Sequence, residues 1–451
     1  MEIENSSLYQ DVAEVIGSGA KQVHYTWRAT IHIGNDDIDV LKVVSRDNLL
    51  EFDHKYAEEM MLTVEVGLGT YAHRLYPNQD QLDITLTRYP IGEVGNADDN
   101  EQNVQATRYT AIMVDLGDVK LEANSSNTPT ETALNLTKMV TVEFQLINKT
   151  LEQLRLKTFG ITVRDATVEK ALKAILTSFS KDIDVDANQL PQGVSMVKAS
   201  NQTKYGQMVI PHGLRLVQFP AFVQEHFGIY NAGLGYFYHQ RHWYLYPRYN
   251  VERFTDTQKT LTIINVPRNR FTGTERTFKQ VGSHLTILAT SEVKLEDRST
   301  ALQLNAGNGA RYADANQFME NYVKTENNKS VVSRARNTSE YMSLERPNGM
   351  NNIRFSEKMI TANPYAEFSK LAERNGAYFS MRWEHSDQSL IEPGMVAKIL
   401  YLDGEEIKEL YGSLVKVHHY DQMAGVGYVS TRFISHSVLV FFVERSLPDQ
   451  A

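Results

Sequence analysis

Residues 25–33 read YTWRATIHI, and apolar and polar side chains alternate along this stretch. Its apolar members are Tyr25, Trp27, Ala29, Ile31 and Ile33. A period of two residues predicts a β-strand with one buried face. Residues 34–37, GNDD, predict a turn. Ile38, Val40, Lys42 and Val44 then continue in a return strand. The two segments together predict a β-hairpin, so this end of the chain is expected to be built from strands.

The same alternation recurs along the first block of the chain, to about residue 120. The alternating apolar residues are Leu62, Val64, Val66 and Leu68, then Leu82, Ile84 and Leu86, and later Ile112, Val114 and Leu116. Five such strands with turn signals between them predict a closed or nearly closed antiparallel barrel. Residues 93–105 are polar and predict a long loop, and residues 121–131 predict a domain boundary.

The middle of the chain contains the clearest helical pattern. Asp165 is a candidate N-cap for a helix that follows it. The helix presents one apolar stripe: Val168, Ala171, Leu172, Ile175, Leu176 and Phe179. A stripe at this spacing is typical of a helix that packs on a core.

A second helical pattern leads into two aromatic strands. Apolar Leu216, Phe219, Phe222 and Val223 precede a turn over residues 226–230. The strands that follow contribute Tyr236, Phe237, Tyr238, Trp243, Tyr244 and Tyr246. Stacked aromatic rings can bind sugars or bases, which makes this cluster the best candidate ligand surface. The favoured interpretation is a two-stranded sheet whose aromatic side chains pack on both faces.

The last block of the chain is again rich in strand patterns. Phe368, Leu371 and Ala372 predict a short helix that ends at Asn375–Gly376. The strands that follow are indicated by Met395, Ala397, Ile399 and Tyr401, by the hairpin signal Asp403–Gly404, and by residues 414–417, 428–433 and 438–443. The fold class is therefore α+β and mainly β, with two antiparallel β-domains that frame helical and loop-rich segments.

Residues 301–350 are polar and rich in asparagine. Such a composition buries too little apolar surface to fold alone. We expect an assembly arm, ordered against a neighbouring subunit or against another protein of the same assembly. A helical insertion around residues 316–323, packed on its own domain, is the alternative.

Composition limits the class of protein. A chain of 451 residues is expected to form about two to four domains. It has no cysteine, which excludes disulfides and thiolate chemistry. The net charge of −9 argues against a chain that grips phosphates, although the acidic residues can also simply maintain solubility. The first residues lack a secretory pattern, and no apolar run approaches the roughly 18 residues of a membrane span, so we expect a soluble protein made in a cytoplasm.

Motifs that carry chemistry are missing from the sequence. It has no phosphate-binding loop, no zinc-protease pair and no nucleophile elbow, and Gly17–Ala20 precedes a strand instead of a helix. His239 and His242 would need a third ligand to bind a metal, and a polar hairpin turn explains them better. His418 and His419 should point to opposite faces of a strand. We therefore predict no catalytic, cofactor-binding or metal-binding residue, no cofactor, and a non-enzymatic structural protein.

Three groups of segments together resemble the baseplate hub proteins of contractile phage tails and the related N-terminal part of VgrG spikes. The first group is residues 56–69, YAEEMMLTVEVGLG, with 71–77 and 82–88. The second is residues 217–222, VQFPAF, with 227–230 and the aromatic strands. The third is residues 391–396, IEPGMV, with the strands to Phe442. The order of these segments carries most of the resemblance.

The resemblance implies a homotrimer in which each subunit carries two tube-like β-barrels. Three subunits then present six barrels, which matches a hexameric tail tube on one side and a trimeric central spike on the other. The implied partners are the tail tube protein and the spike protein, with the tape-measure protein and baseplate wedge proteins as further candidates. The genome would pass through the lumen without specific binding, and no direct membrane insertion is implied.

The implied location is the baseplate of a virion assembled in the host bacterial cytoplasm. The alternatives are a carbohydrate-binding or glycan-cleaving tail module, and another tube-initiator or baseplate structural protein. The expected domains are a first tube-like barrel (1–120), a linker and helical region (121–200), a helix with the aromatic hairpin (201–300), a polar arm or insertion (301–362) and a second tube-like barrel (363–451).

Overall fold

The fold was analysed in a computed structural model. The structure describes residues 7–17, 24–53, 55–91, 105–114, 139–256, 259–266, 276–290, 376–403, 406–424 and 433–444, together with short strand segments and four single residues between 291 and 375. Among the helices in these ranges, none has the length and apolar character needed to cross a membrane.

Strands make up most of the secondary structure. They are β1 His24–Ile33, β2 Asp36–Asp39, β3 Lys42–Glu51, β4 Glu59–Gly67, β5 Leu82–Ile91, β6 Gln105–Met113, β7 Met139–Asn148, β8 Thr158–Thr167, β9 Gly193–Met196, β10 Lys204–Arg215, β11 Leu234–His239, β12 His242–Pro247, β13 Thr260–Asn265, β14 Phe278–Val281, β15 His284–Ala289, β16 Lys294–Glu296, β17 Gly309–Tyr312, β18 Val323–Glu326, β19 Lys329–Val332, β20 Tyr341–Leu344, β21 Arg354–Phe355, β22 Gly376–Glu384, β23 Val396–Asp403, β24 Glu406–Met423 and β25 Phe433–Glu444.

The helices are fewer and shorter. They are α1 Ser7–Gly17, α2 Leu68–Thr70, α3 Lys149–Leu156, α4 Val168–Lys181 and α5 Phe219–His226, with short 3-10 or π-helical segments at Tyr71–Leu75, Tyr76–Gln81, Leu216–Gln218, Glu252–Asp256 and Gln388–Leu390. The prediction of a mainly β protein is confirmed.

One large mixed sheet organises the chain. Its first half runs in the order β3-β4-β7-β6-β5-β1-β2, and its second half runs β14-β15-β13-β23-β24, with β25, β22 and β16 continuing from β24. The two halves meet where β24 pairs antiparallel with β3. The expected pair of separate barrels stays a prediction, because the 15 described strands of the two halves form one continuous hydrogen-bonded sheet. The predicted domain boundaries also stay predictions, although β13 to β15 pair into the same sheet as β23.

The inner face of the first half follows the predicted alternation in β4 and β5. Leu62, Val64 and Val66 are buried, and so are the predicted inward residues of β5. The phase predicted for β6 is wrong. Ile112 is 46% exposed, whereas Ala111 lies opposite Leu82 in the core. Pairing with β5 fixes this register, and the apolar character of Ile112 could not reveal it. Val114 follows the strand, and Leu116 lies outside the described residues.

The first hairpin forms as predicted, but its return strand is shorter. Ile33 pairs with Asp36 across the turn, in which Gly34 has φ 61°. β2 then ends at Asp39. The prediction that the same strand continues through Lys42 and Val44 is wrong, since these residues belong to β3. β2 pairs with β1, whereas β3 pairs with β4 and β24, so the chain changes its partner strands between Asp39 and Lys42.

The predicted stripe of α4 packs as expected, but its cap is a different residue. Val168, Leu172 and Leu176 of the stripe are fully buried. The N-cap is Thr167, whose hydroxyl accepts a hydrogen bond from the Lys170 N–H at 3.4 Å. Asp165 does not cap the helix because it lies within β8, two residues before the cap, with φ 51°.

The aromatic hairpin packs on both faces, so the favoured interpretation is confirmed. β11 and β12 are joined by Gln240 and Arg241, which both have positive φ. Phe237 and Tyr246 belong to the core of the second half of the sheet. Tyr238 and Trp243 belong to a separate core with α4 and α5, and the remaining two aromatic side chains are half-buried. The hairpin therefore joins two cores and does not offer an open row of stacked rings.

Predictions for residues 291–375 fall mostly outside the described residues. The backbone of β17 pairs with β20 and β21, and β18 pairs with β19. Residues 316–322, on which the helical alternative depends, lie outside the description, and the assembly arm stays a prediction. Of the short helix predicted here, Ala372 is helical, whereas Phe368 and Leu371 are not described.

Truncating Trp243 tests the two-faced packing of the hairpin. The side chain is 1% exposed, and its indole N–H donates to the Ser180 hydroxyl at 3.0 Å. We expect Trp243→Ala to lower the free energy of unfolding by about 3–5 kcal/mol, measured by urea denaturation. Tyr76→Ala is the matched control, because Tyr76 is 57% exposed. Equal effects of the two substitutions would contradict the packing described here.

Candidate functional site at the sheet junction

The strands at the junction place polar side chains in the interior. Arg46 of β3 lies directly opposite Asp421 of β24, and Asn48 lies opposite His419. Residues two apart on a strand share a face, so these four side chains point to the same side. All four are buried, although the neighbouring positions on this face are apolar.

Arg46 and Asp421 form a buried ion pair. The Arg46 Nη1 atom donates to Asp421 Oδ2 at 2.6 Å, and the two side chains are 8% and 3% exposed. Arg46 Nη2 also donates to Gln388 Oε1 at 2.7 Å, and the guanidinium lies 4.4 Å from the centre of the Trp27 ring on β1. The pair therefore joins β3, β24, β1 and the turn before β23.

A second row of polar contacts extends the pair across β24 to β25. His419 contacts Asp421 Oδ1 through Nε2 at 3.1 Å and the Ser437 hydroxyl through Nδ1 at 2.8 Å. Ser437 in turn donates to the Ser386 hydroxyl at 2.8 Å. Ser435 completes the row by donating to Asp421.

Serine, histidine and aspartate are the residue types of a hydrolytic triad, so this row needs a chemical assessment. Ser437 is fully buried, and its proton is committed to Ser386. Asp421 shares its charge between His419, Ser435 and Arg46, whereas the aspartate of a triad serves chiefly to orient the histidine. The geometry therefore fits a closed internal network that fixes strands.

The network determines the charge state of Asp421. Burial by itself would raise the pKa of this carboxyl. The charge and hydrogen bond of His419, together with Arg46 and Ser435, outweigh burial and hold the pKa of Asp421 well below its usual range. The aspartate is therefore ionised in the folded protein at every ordinary pH.

A cavity of about 520 Å³ lies beside the network. The first half of the sheet lines it with Trp27, Arg46 and Asn48, and the second half with Gln388 and His419. The turn of the aromatic hairpin closes another side with His239 and Arg241. The cavity is thus built where three parts of the chain meet.

The histidines singled out from the sequence have separate environments. His418 points away from His419 and contacts Asp47 Oδ1 at 2.6 Å, so the prediction of opposite faces is confirmed. His239 is buried, and burial lowers its pKa. His242 contacts the carbonyl of Gln240 at 3.1 Å. Within the described ranges, no group of three His, Asp or Glu side chains could hold a metal ion.

The junction residues were not singled out from the sequence. In the sequence, Arg46 and Asn48 occupy the same alternating positions as the apolar residue Leu50. His419 and Asp421 likewise occupy the same alternating positions as Val417. Charged residues at inward positions indicate a buried pair, but only the pairing of β3 with β24 shows which residues are partners.

Comparison with known proteins gives distant structural matches. No family model matches the chain, and no curated protein matches it. The tail protein from Neisseria meningitidis MC58 is 9% identical, with 93% of this chain and 97% of that chain covered and a TM-score of 0.45. The 43 kDa tail protein of prophage MuSo2 from Shewanella oneidensis is 7% identical, with 93% and 98% covered and a TM-score of 0.46.

A third similar structure is the E. coli c3393 protein, described as a component of the type VI secretion system with structural similarity to the T4 bacteriophage tail proteins gp27 and gp5. It is 9% identical, with 93% of this chain and 77% of that chain covered and a TM-score of 0.41. The resemblance to tail and hub proteins seen in the sequence agrees with these matches. Identities of 7–9% and TM-scores of 0.41–0.46 describe a distant likeness. Any role of this chain therefore has to be inferred from its own residues.

Replacing Asp421 by Asn tests the ion pair. The substitution leaves Arg46 buried without a charged partner, so we expect the free energy of unfolding to fall by about 3–5 kcal/mol. Asp47→Asn is the matched control on the same pair of strands. Asp47 is 40% exposed beside His418, and its loss should cost about 1 kcal/mol or less. Urea denaturation of both variants measures the difference, and similar losses would argue against a dominant role for the pair.

The same pair predicts a pH dependence. The pKa of Asp421 is lower in the folded than in the unfolded protein, so the unfolded chain takes up the proton first as the pH falls. The stabilisation by Asp421 should be complete at neutral pH and should be lost progressively below about pH 5. Wild type and Asp421→Asn should therefore converge in free energy of unfolding between about pH 5 and pH 2. A constant difference over this range would refute the assignment.

Proposed function

We propose that this chain is a structural baseplate hub subunit of a phage tail, which forms a trimeric ring between the hexameric tail tube and the trimeric central spike. The observation that carries the proposal is the pairing of β3 with β24. It holds two β-rich halves, each with its own apolar core, in one fixed arrangement. A subunit with two β-modules in a fixed geometry suits an adaptor between sixfold and threefold symmetry.

Each half also has contacts that support a tube-like barrel. In the first half, the position of Arg46 over Trp27 brings β3 towards β1, the strand next to the far edge of that half. In the second half, the Thr290 N–H donates to the Arg382 carbonyl at 2.9 Å and the Trp383 indole donates to Thr277 at 3.0 Å. These contacts bring the end of β15 towards β22.

The role is mechanical and not enzymatic. The buried network joins strands, as expected for a part that transmits load without moving internally. The partners are further copies of the chain, the tail tube protein and the central spike protein, with the tape-measure and wedge proteins as further candidates. The location is the baseplate of a virion assembled in the host cytoplasm. A net charge of −9 is compatible with passage of a genome that does not stick to the lumen.

The oligomeric state tests this proposal. Sedimentation of the full chain, alone and with its spike and tube proteins, should give a trimer that binds both. Since the ring uses both halves of each subunit, Asp421→Asn should weaken assembly more than Asp47→Asn at equal protein concentration. A strictly monomeric chain that binds neither the tube nor the spike protein would exclude the hub role.

A further inference from the structure

The helix α1 docks on the half of the sheet to which it is not directly connected in sequence. Six residues separate its end at Gly17 from the start of β1, a strand of the first half. The helix nevertheless contacts β14 and β15, which belong to the second half. It is thus tethered to one half of the molecule and packed on the other.

A small apolar cluster holds α1 on this face. Val15 is 1% exposed and packs with Ile264 of β13 and Leu288 of β15. Val12, one turn earlier on the helix, and Leu400 of β23 pack against the same cluster. Isolated helices of about this length are marginal in water, so α1 needs a docking face of this kind to stay helical.

Charges on the helix and on the strands are complementary. Glu14 of α1 contacts Lys279 Nζ of β14 at 2.8 Å. Asp11 of α1 lies close enough to Lys398 of β23 for their charges to attract each other. The helix supplies carboxylates and the strands supply ammonium groups, so this face selects an acidic helix with an apolar side. Exposed pairs of this kind contribute little to stability, and they serve to orient the helix.

The fit between α1 and its docking face is incomplete. A cavity of about 310 Å³ is lined both by the helix, including Val15, and by the strands, including Ile264 and His284. At the edge of this face, Val281 of β14 is 60% exposed, and Ile16 of the helix is 46% exposed. The helix is therefore attached by a limited contact that can form and break without unfolding the sheet beneath it.

Gly17 provides a hinge at the end of α1. Among the described residues, no atom lies within 4 Å of the position that a Cβ on Gly17 would occupy, so packing does not require a glycine there. The sequence continues with Ser18 and Gly19 before β1 begins. Glycines permit large changes of backbone direction, as hinge positions require.

A ring of the proposed kind gives α1 two equivalent docking faces. In a head-to-tail ring, each first half lies between the second half of its own chain and the second half of the neighbouring subunit. Both second halves present the same residues to the helix. Exchange of an identical element keeps every contact described above and adds a link between subunits, so it is a low-cost route to assembly.

We propose that α1 is an exchange segment, which docks in the assembled ring on β13, β14 and β15 of the neighbouring copy. The partner of this face is a second copy of the chain, recognised through Val15 and Glu14. The inference rests on the proposed hub function, because it needs a ring of copies.

Cross-linking distinguishes exchange from docking within one chain, because the chain has no cysteine of its own. Glu14→Cys is placed in one copy and Lys279→Cys in a second copy with a larger tag, and the two are co-expressed. A short bismaleimide should join them into a covalent heterodimer. Lys173→Cys is the matched control for Lys279→Cys, since Lys173 also contacts a glutamate at 2.8 Å but lies on α4, and it should give no product.

A double variant with Glu14→Cys and Lys279→Cys in the same chain separates the outcomes. Exchange predicts covalent dimers and trimers on a denaturing gel. If the ring forms but the cross-links stay within single chains, exchange is overturned and the hub function stands. The absence of any cross-link also overturns exchange, because α1 then does not dock beside β14. A strictly monomeric chain excludes both the exchange and the hub function.

Val15→Asp tests whether the docked helix holds subunits together. The substitution places a carboxylate in the apolar cluster, so the dissociation constant of the ring should rise roughly tenfold or more, measured by sedimentation. Ala13→Asp adds the same charge at an exposed position of α1 and should leave the dissociation constant unchanged. Equal dissociation constants for the two variants would overturn the exchange, since docking within one chain adds nothing to association.

Discussion

The buried pair of Arg46 and Asp421 is the interaction on which the arrangement of the two halves depends. A guanidinium in the interior of a sheet loses its hydration, and only a well-placed anion with further hydrogen bonds offsets that loss. The two residues are 375 positions apart, and they meet because β3 lies beside β24. Any arrangement that separates these strands leaves Arg46 without its charged partner and takes one of its partners from Asp421. The pair therefore selects one arrangement of the halves, even where its net contribution to stability is small.

The rest of the architecture supports this junction from both sides. The aromatic hairpin presents Phe237 to the core of the second half and Trp243 to the core of the middle region. Beyond the end of β3, Asp53 accepts from Arg248 at 2.6 Å and from Tyr249 at 2.9 Å, and Arg248 directly follows the hairpin. The middle region is thus tied to the same strand that carries Arg46. A displacement of either half would disturb the packing of the hairpin on both cores and the contact between Asp53 and Arg248.

Sequence periodicity predicts the elements whose buried face depends on residues close in the chain. It fails where pairing with a distant strand determines which side chains are buried. The inward residues of β4 and β5, the stripe of α4 and the aromatic hairpin follow from local patterns, because each buries one face with a regular period. The phase of β6, the end of β2 and the cap of α4 do not, because strand pairing and local geometry override the pattern. The junction is the clearest example, since Arg46 and Asp421 belong to opposite ends of the chain and nothing near either residue identifies the other.

Two β-bulges explain why the inward charges were hard to recognise. On β3, Val43 pairs with Val64 and Ser45 with Thr63, so Val44 is the extra residue, and both Val43 and Arg46 face inward at a spacing of three. On β24, Val415 is the extra residue between Leu414 and Lys416, and it packs in a different core from Leu414. A slip of one residue exchanges the two faces of a strand, so each bulge changes which residues are inside. Strict alternation read from Val43 would turn Arg46 and Asn48 outward. The bulges bring these polar residues into the interior, where they meet across the junction of the two halves.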